Sequence, residues 1–182
     1  MTKHLFATSL LAAVACGAKA PAAPQFGPAD TTTYYLGTSD VLGMDGTVYV
    51  DDAPTIVERT VSPATGTILE TVYVAMQHAM VTTTLRQTAN PQVFQATDAK
   101  ASFTGTLIYD GDPWNPAGWT YDIALADNGG TITGTAKLTG DAITAEKLFT
   151  GPDGTPQARI VDVARRVSKE EFLAKRKEVT GG

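Results

Sequence analysis

Two histidines, one cysteine and 19 acidic residues are what this 182-residue chain offers for proton, metal or nucleophile chemistry beyond its hydroxyls. His4 stands in an apolar leader, so His78 is the base that a Ser-His-Asp triad would need, and no Gly-x-Ser-x-Gly turn presents a serine to it. His-Glu-x-x-His, Cys-x-x-Cys and phosphate-loop spacings do not occur. Met76, His78 and Met80 alternate, so on one continuous strand they would project from the same face. Thioethers and an imidazole suit Cu(I), which makes this trio a copper alternative. Plain packing competes with it: Val72, Val74 and Met76 continue one apolar stripe, and a turn at Gln77-His78 would break the alignment. Asp110, Asp112 and Asn115 put oxygen ligands into one segment, but their spacing departs from a calcium loop, and Asp, Asn, Gly and Pro also build turns. Haem ligation would rest on His78 alone. No cofactor is expected. A carboxylate pair is the one acid/base device left open, as a less favoured, cofactor-free enzyme reading.

Aromatic residues make the stronger argument, for binding rather than catalysis. Trp119, Tyr121, Ile123 and Leu125 share one face of a period-two run, and Phe103, Leu107 and Tyr109 share one face of another. The two runs flank the longest non-strand segment, residues 110–118. If both faces point inward they line one region of a barrel near its mouth, where barrels bind small molecules. The same side chains could instead fill a solid core. That alternative gives a structural or interaction module working through its outer surface.

The elements that would position these residues are strands. The chain has 28 Thr against 5 Ser, and β-branched Thr favours the extended backbone. Strands are expected near 32–36, 47–50, 55–62, 67–76, 79–87, 91–97 and 101–109, then from Gly118, Thr131, Ile143 and Pro156 onward. Asp127-Asn128-Gly129-Gly130, Gly140-Asp141 and Gly151-Pro152-Asp153-Gly154 are tight turns that force antiparallel neighbours. An open meander of this length would leave two reactive edges. The expectation is therefore an all-β fold: an antiparallel up-and-down barrel of about eight to ten strands over residues 31–167, with a two-sheet sandwich as the alternative. One helix over 168–179 should end the chain. Ser168 is its N-cap, Glu171 completes a capping box and faces Lys175, and Val167 can staple to Phe172.

A net charge of −5 argues against a nucleic-acid partner, which needs a basic footprint. Residues 31–158 carry net −9 and residues 159–178 net +3, so the late helix complements an acidic barrel.

Residues 1–15 combine Lys3 with an apolar run from Leu5 to Ala15, too short to span a bilayer, and Ala13-Val14-Ala15 precede the single cysteine, Cys16. This resembles a bacterial lipoprotein signal. The resemblance implies export, removal of residues 1–15, and lipid on Cys16 that holds the protein to a membrane of the cell envelope, facing the periplasm or the cell surface. Residues 17–30, with Pro21, Pro24 and Pro28, read as a polyproline-II-biased tether of roughly 40 Å. A single cysteine allows no internal disulfide. The closed meander with a late helix resembles the calycin architecture of lipocalins, without their Gly-x-Trp on the first strand. That likeness implies a barrel holding a small apolar ligand.

Overall fold

The computed structural model describes residues 29–74, 79–100, 102–126 and 129–181. Ten strands occur among them: β1 Thr31–Gly43, β2 Val48–Ser62, β3 Thr67–Val74, β4 Ala79–Gln87, β5 Val93–Asp98, β6 Phe103–Asp110, β7 Gly118–Leu125, β8 Thr131–Thr139, β9 Ala142–Thr150 and β10 Pro156–Val167. Each pairs antiparallel with the next, and β10 returns to β1, so the sheet is a closed barrel rather than a sandwich. The closing register sets Gly37 opposite Ala164 and Ser39 opposite Asp162. Closure removes both sheet edges at once.

The period-two pattern resolves into an apolar inside and a polar outside. On β7, Trp119 is buried and Tyr121, Ile123 and Leu125 are half-buried, while Thr120 and Asp122 are exposed. On β8, Ala136 is buried whereas Thr133 and Thr135 face solvent. A lipid-embedded barrel has the reverse alternation. No helix among the described residues is long and apolar enough to cross a membrane.

The first hairpin differs from the sequence expectation. Strand β1 does not stop near residue 36 but runs through Gly37 to Gly43, and the segments expected at 47–50 and 55–62 are one strand, β2. The β1–β2 register slips between Ser39 and Val41, and Asp52 takes φ 50° with its N–H donated to Asp40 Oδ1 at 2.9 Å. This is a bulge: one strand carries extra residue length, bends, and goes on pairing.

Helix α1, Lys169–Thr180, lies on the outer wall of the barrel. Its anchor is Phe172, fully buried against Ile56 and Tyr73, with the Tyr34 ring 4.8 Å away between centroids. The Tyr73 hydroxyl donates to the Val179 carbonyl at 3.5 Å, and Arg176 stands 3.9 Å from Glu58. Ser168 caps the helix by accepting the Glu171 N–H at 3.2 Å. The Glu171 carboxylate pairs with Arg165, not with Lys175, which pairs with Glu178 at 2.6 Å instead. Ser168→Ala should therefore lower stability by about 0.5–2 kcal/mol. A denaturant melt identical to wild type would show that the cap contributes nothing.

Candidate ligand-binding cavity

Inside the barrel the two sides differ. Strands β4 to β8 send in Leu85, Phe94, Leu107, Tyr109 and Trp119, which pack into a filled core. Phe94 meets Tyr109 edge-on at 5.1 Å, and Tyr109 meets Trp119 at 5.8 Å. Strands β1–β3 and β10 send Val41, Val57, Val72, Val74, Ile160 and Ala164 toward unfilled space. A cavity of about 420 Å³ remains there, within the size range of small-molecule sites. Val41, Val57, Val72, Val74 and Ile160 give it a largely apolar lining, and it extends toward the end of the barrel that carries the β1–β2 hairpin.

Four charged side chains stand in this apolar wall. Arg59 and Glu70 are opposite one another across β2 and β3, with Arg59 Nη1 donating to Glu70 Oε1 at 3.2 Å. Lys147 pairs with Asp162 across β9 and β10, and the Ser39 hydroxyl donates to the same carboxylate. Arg59 Nη2 also donates to the Tyr109 hydroxyl at 3.0 Å. The guanidinium carbon lies 5.2 Å from the Tyr109 ring centre and 5.1 Å from that of Trp119. Lys147 Nζ sits 5.4 Å from the Tyr121 ring centre. Burial opposes the Arg59 charge, but the Glu70 carboxylate beside it favours it, and the net shift holds the guanidinium more firmly protonated than usual. Burial pushes the Tyr109 phenol well above its ordinary value, and burial with the nearby Glu70 charge does the same to Tyr121. Both phenols thus keep their protons.

A second cavity of about 400 Å³ opens at the other end of the barrel, beside the 110–117 segment and the 140–141 turn. Tyr35, Arg59, Trp119 and Ile143 border both spaces and form the layer between them. The Trp119 indole N–H in that layer is buried without a hydrogen-bond partner of normal geometry, next to the Tyr121 hydroxyl.

Of the seven aromatic and aliphatic residues proposed from the sequence, Trp119 and Tyr121 border the cavity. Leu107 and Tyr109 are in the filled core, and Phe103 packs against it. Ile123 and Leu125 are half-buried and do not border the cavity. In the copper alternative, Met76 and His78 lie outside the described residues. Met80 is directed to the outer wall, where it packs against the Ile56, Tyr73 and Phe172 cluster beneath the helix. Its place on β4 opposite Tyr73 gives the parity that faces out. Asp112 serves its own turn, with Oδ1 accepting the Trp114 N–H at 3.0 Å. Cys16 and residues 1–28 are outside the described residues.

Motif spacing finds none of the four interior charges. Parity along each strand does, because Arg59 lies between Val57 and Val61, Glu70 between Ile68 and Val72, Lys147 between Ala145 and Phe149, and Asp162 between Ile160 and Ala164. Each is a charge on the apolar face of its strand.

No protein-family model matches this chain, and no curated protein sequence matches it.

Proposed function

We propose that this protein is a non-enzymatic, lipocalin-like binding protein of the bacterial cell envelope, tethered through a lipid on Cys16, whose barrel receives a small and largely apolar molecule. The observation that carries the binding reading is the apolar cavity of about 420 Å³ beside the packed aromatic cluster of Phe94, Tyr109 and Trp119. A pure interaction module has no need to leave such a space inside its barrel, since unfilled space forfeits packing energy. The two carboxylates in the cavity do not favour an enzyme, because Glu70 and Asp162 are each engaged by a cation rather than free toward a substrate.

The test is occupancy. An environment-sensitive apolar dye such as Nile red should bind the folded protein and change its Trp fluorescence, because Trp119 borders the cavity. Val72→Phe, which adds volume at a residue lining the cavity, should keep the far-UV signature of the fold and weaken the dye at least about tenfold, or about 1.4 kcal/mol. A wild-type protein that binds no apolar dye, or a filled variant that binds equally well, overturns the reading.

The anchoring proposal has its own check. Cys16→Ser should move the protein from the membrane fraction to the soluble fraction, because lipid attachment requires the thiol. Wild-type protein that is unlipidated and fractionates as soluble would overturn it.

A further inference from the structure

We propose that the cavity selects an uncharged, mainly apolar molecule bearing a carbonyl-type hydrogen-bond acceptor, and that the Arg59 guanidinium holds that acceptor; this rests on the ligand-binding reading above. The first observation is charge balance. Among the described residues, Arg59 and Lys147 are the only cations lining the cavity and Glu70 and Asp162 the only anions, and each cation is already in contact with one anion. The charges of this lining therefore cancel before any ligand arrives. A carboxylate or ammonium ligand would bring one uncompensated charge into a low-dielectric space, which its lost hydration opposes. An uncharged ligand brings none.

The second observation is an imbalance of donors. Arg59 has five N–H groups, of which one is spent on Glu70 and one on Tyr109. The other three make no hydrogen bond among the described residues. The Tyr109 and Trp119 ring centres are 5.8 Å apart and so lie to one side of the guanidinium, which also borders the cavity. The phenol of Tyr109, held protonated by burial, cannot supply an anionic acceptor to it. A carbonyl oxygen satisfies such donors without adding charge. The apolar remainder of the molecule then lies among Val41, Val57, Val72 and Val74, toward the hairpin end.

Three ligands of equal chain length separate the possibilities: decan-2-one, decanoate and decane, each measured by displacement of Nile red from the full-length folded protein. Decan-2-one should displace the dye at a concentration at least tenfold lower than either of the others. In the paired variant Arg59→Leu with Glu70→Leu, the advantage of decan-2-one over decane should collapse to near unity. Decanoate as the tightest competitor would overturn the selection for uncharged ligands. Equal potency of decan-2-one and decane would overturn the polar seat, as would an advantage that survives in the paired variant. Dye that binds but yields to none of the three overturns the ligand class alone. A wild-type protein that binds no dye overturns the underlying binding reading instead.

Discussion

Gly37→Ala should destabilise the protein by about 3 kcal/mol or more, the upper end of what overpacking costs. A Cβ built at Gly37 would lie 1.8 Å from the Val163 carbonyl oxygen, 2.5 Å from Ala164 Cα and 2.7 Å from the Val163 carbonyl carbon. All three are backbone atoms of β10, so no side-chain rotation relieves the clash. The position also matters, because Gly37 is on the β1–β10 seam that closes the barrel, and relief requires the first and last strands to part. Gly46 in the β1–β2 turn is the control. It has φ +86°, and a methyl group there would find nothing within 4 Å, so alanine meets only backbone strain. Gly46→Ala should cost about 1 kcal/mol. Equilibrium denaturant melts of the two variants measure the difference. Equal losses would show that the seam tolerates a methyl group and that strand approach there is looser than these distances.

The same glycine explains where the sequence was readable and where it was not. Strict alternation from Trp119 to Leu125, and tight turns such as Gly140-Asp141, specify pairing locally, so the meander and its closure could be read from the residues. Near residue 37 the local signal misleads. Glycine usually marks the end of a strand, yet here it marks close approach of one wall strand to the next. Gly134, whose Cβ would lie 2.2 Å from the Glu146 carbonyl, does the same between β8 and β9. Strand β2 was read in two pieces for another reason. Asp51-Asp52-Ala53-Pro54 are turn-forming residues by type, yet the chain bulges at Asp52 and goes on pairing with β1. The cavity itself follows from a contrast between distant strands: large aromatic residues on β5 to β7, and Val, Ala and Ile on β1 to β3, β9 and β10. No local pattern carries that contrast, because the register of ten strands must be known before facing residues can be compared.

The interior ion pair leads to the second large effect. Arg59→Leu alone should cost about 3 kcal/mol, because it leaves the Glu70 carboxylate without its cation inside the barrel. Glu70 retains 18 % side-chain exposure, against 7 % for Arg59, which keeps the expected loss at the lower end of the range for broken buried pairs. The substitution also strips the Tyr109 hydroxyl of its donor and removes the cation beside Tyr109 and Trp119. Replacing both partners, Arg59→Leu with Glu70→Leu, removes the unpaired charge and should bring stability back to within about 1 kcal/mol of wild type. Adding Glu70→Leu to Arg59→Leu then restores about 2 kcal/mol or more, well above the scatter of independent substitutions. A double variant as unstable as the single one would mean that Arg59 acts by packing against the rings, as its long side chain also can. In that event the guanidinium would be a wedge between the two cavities. Recovery in the double variant identifies it as one half of a neutral pair set into an apolar wall, which is the electrostatic condition that the proposed preference for uncharged ligands requires.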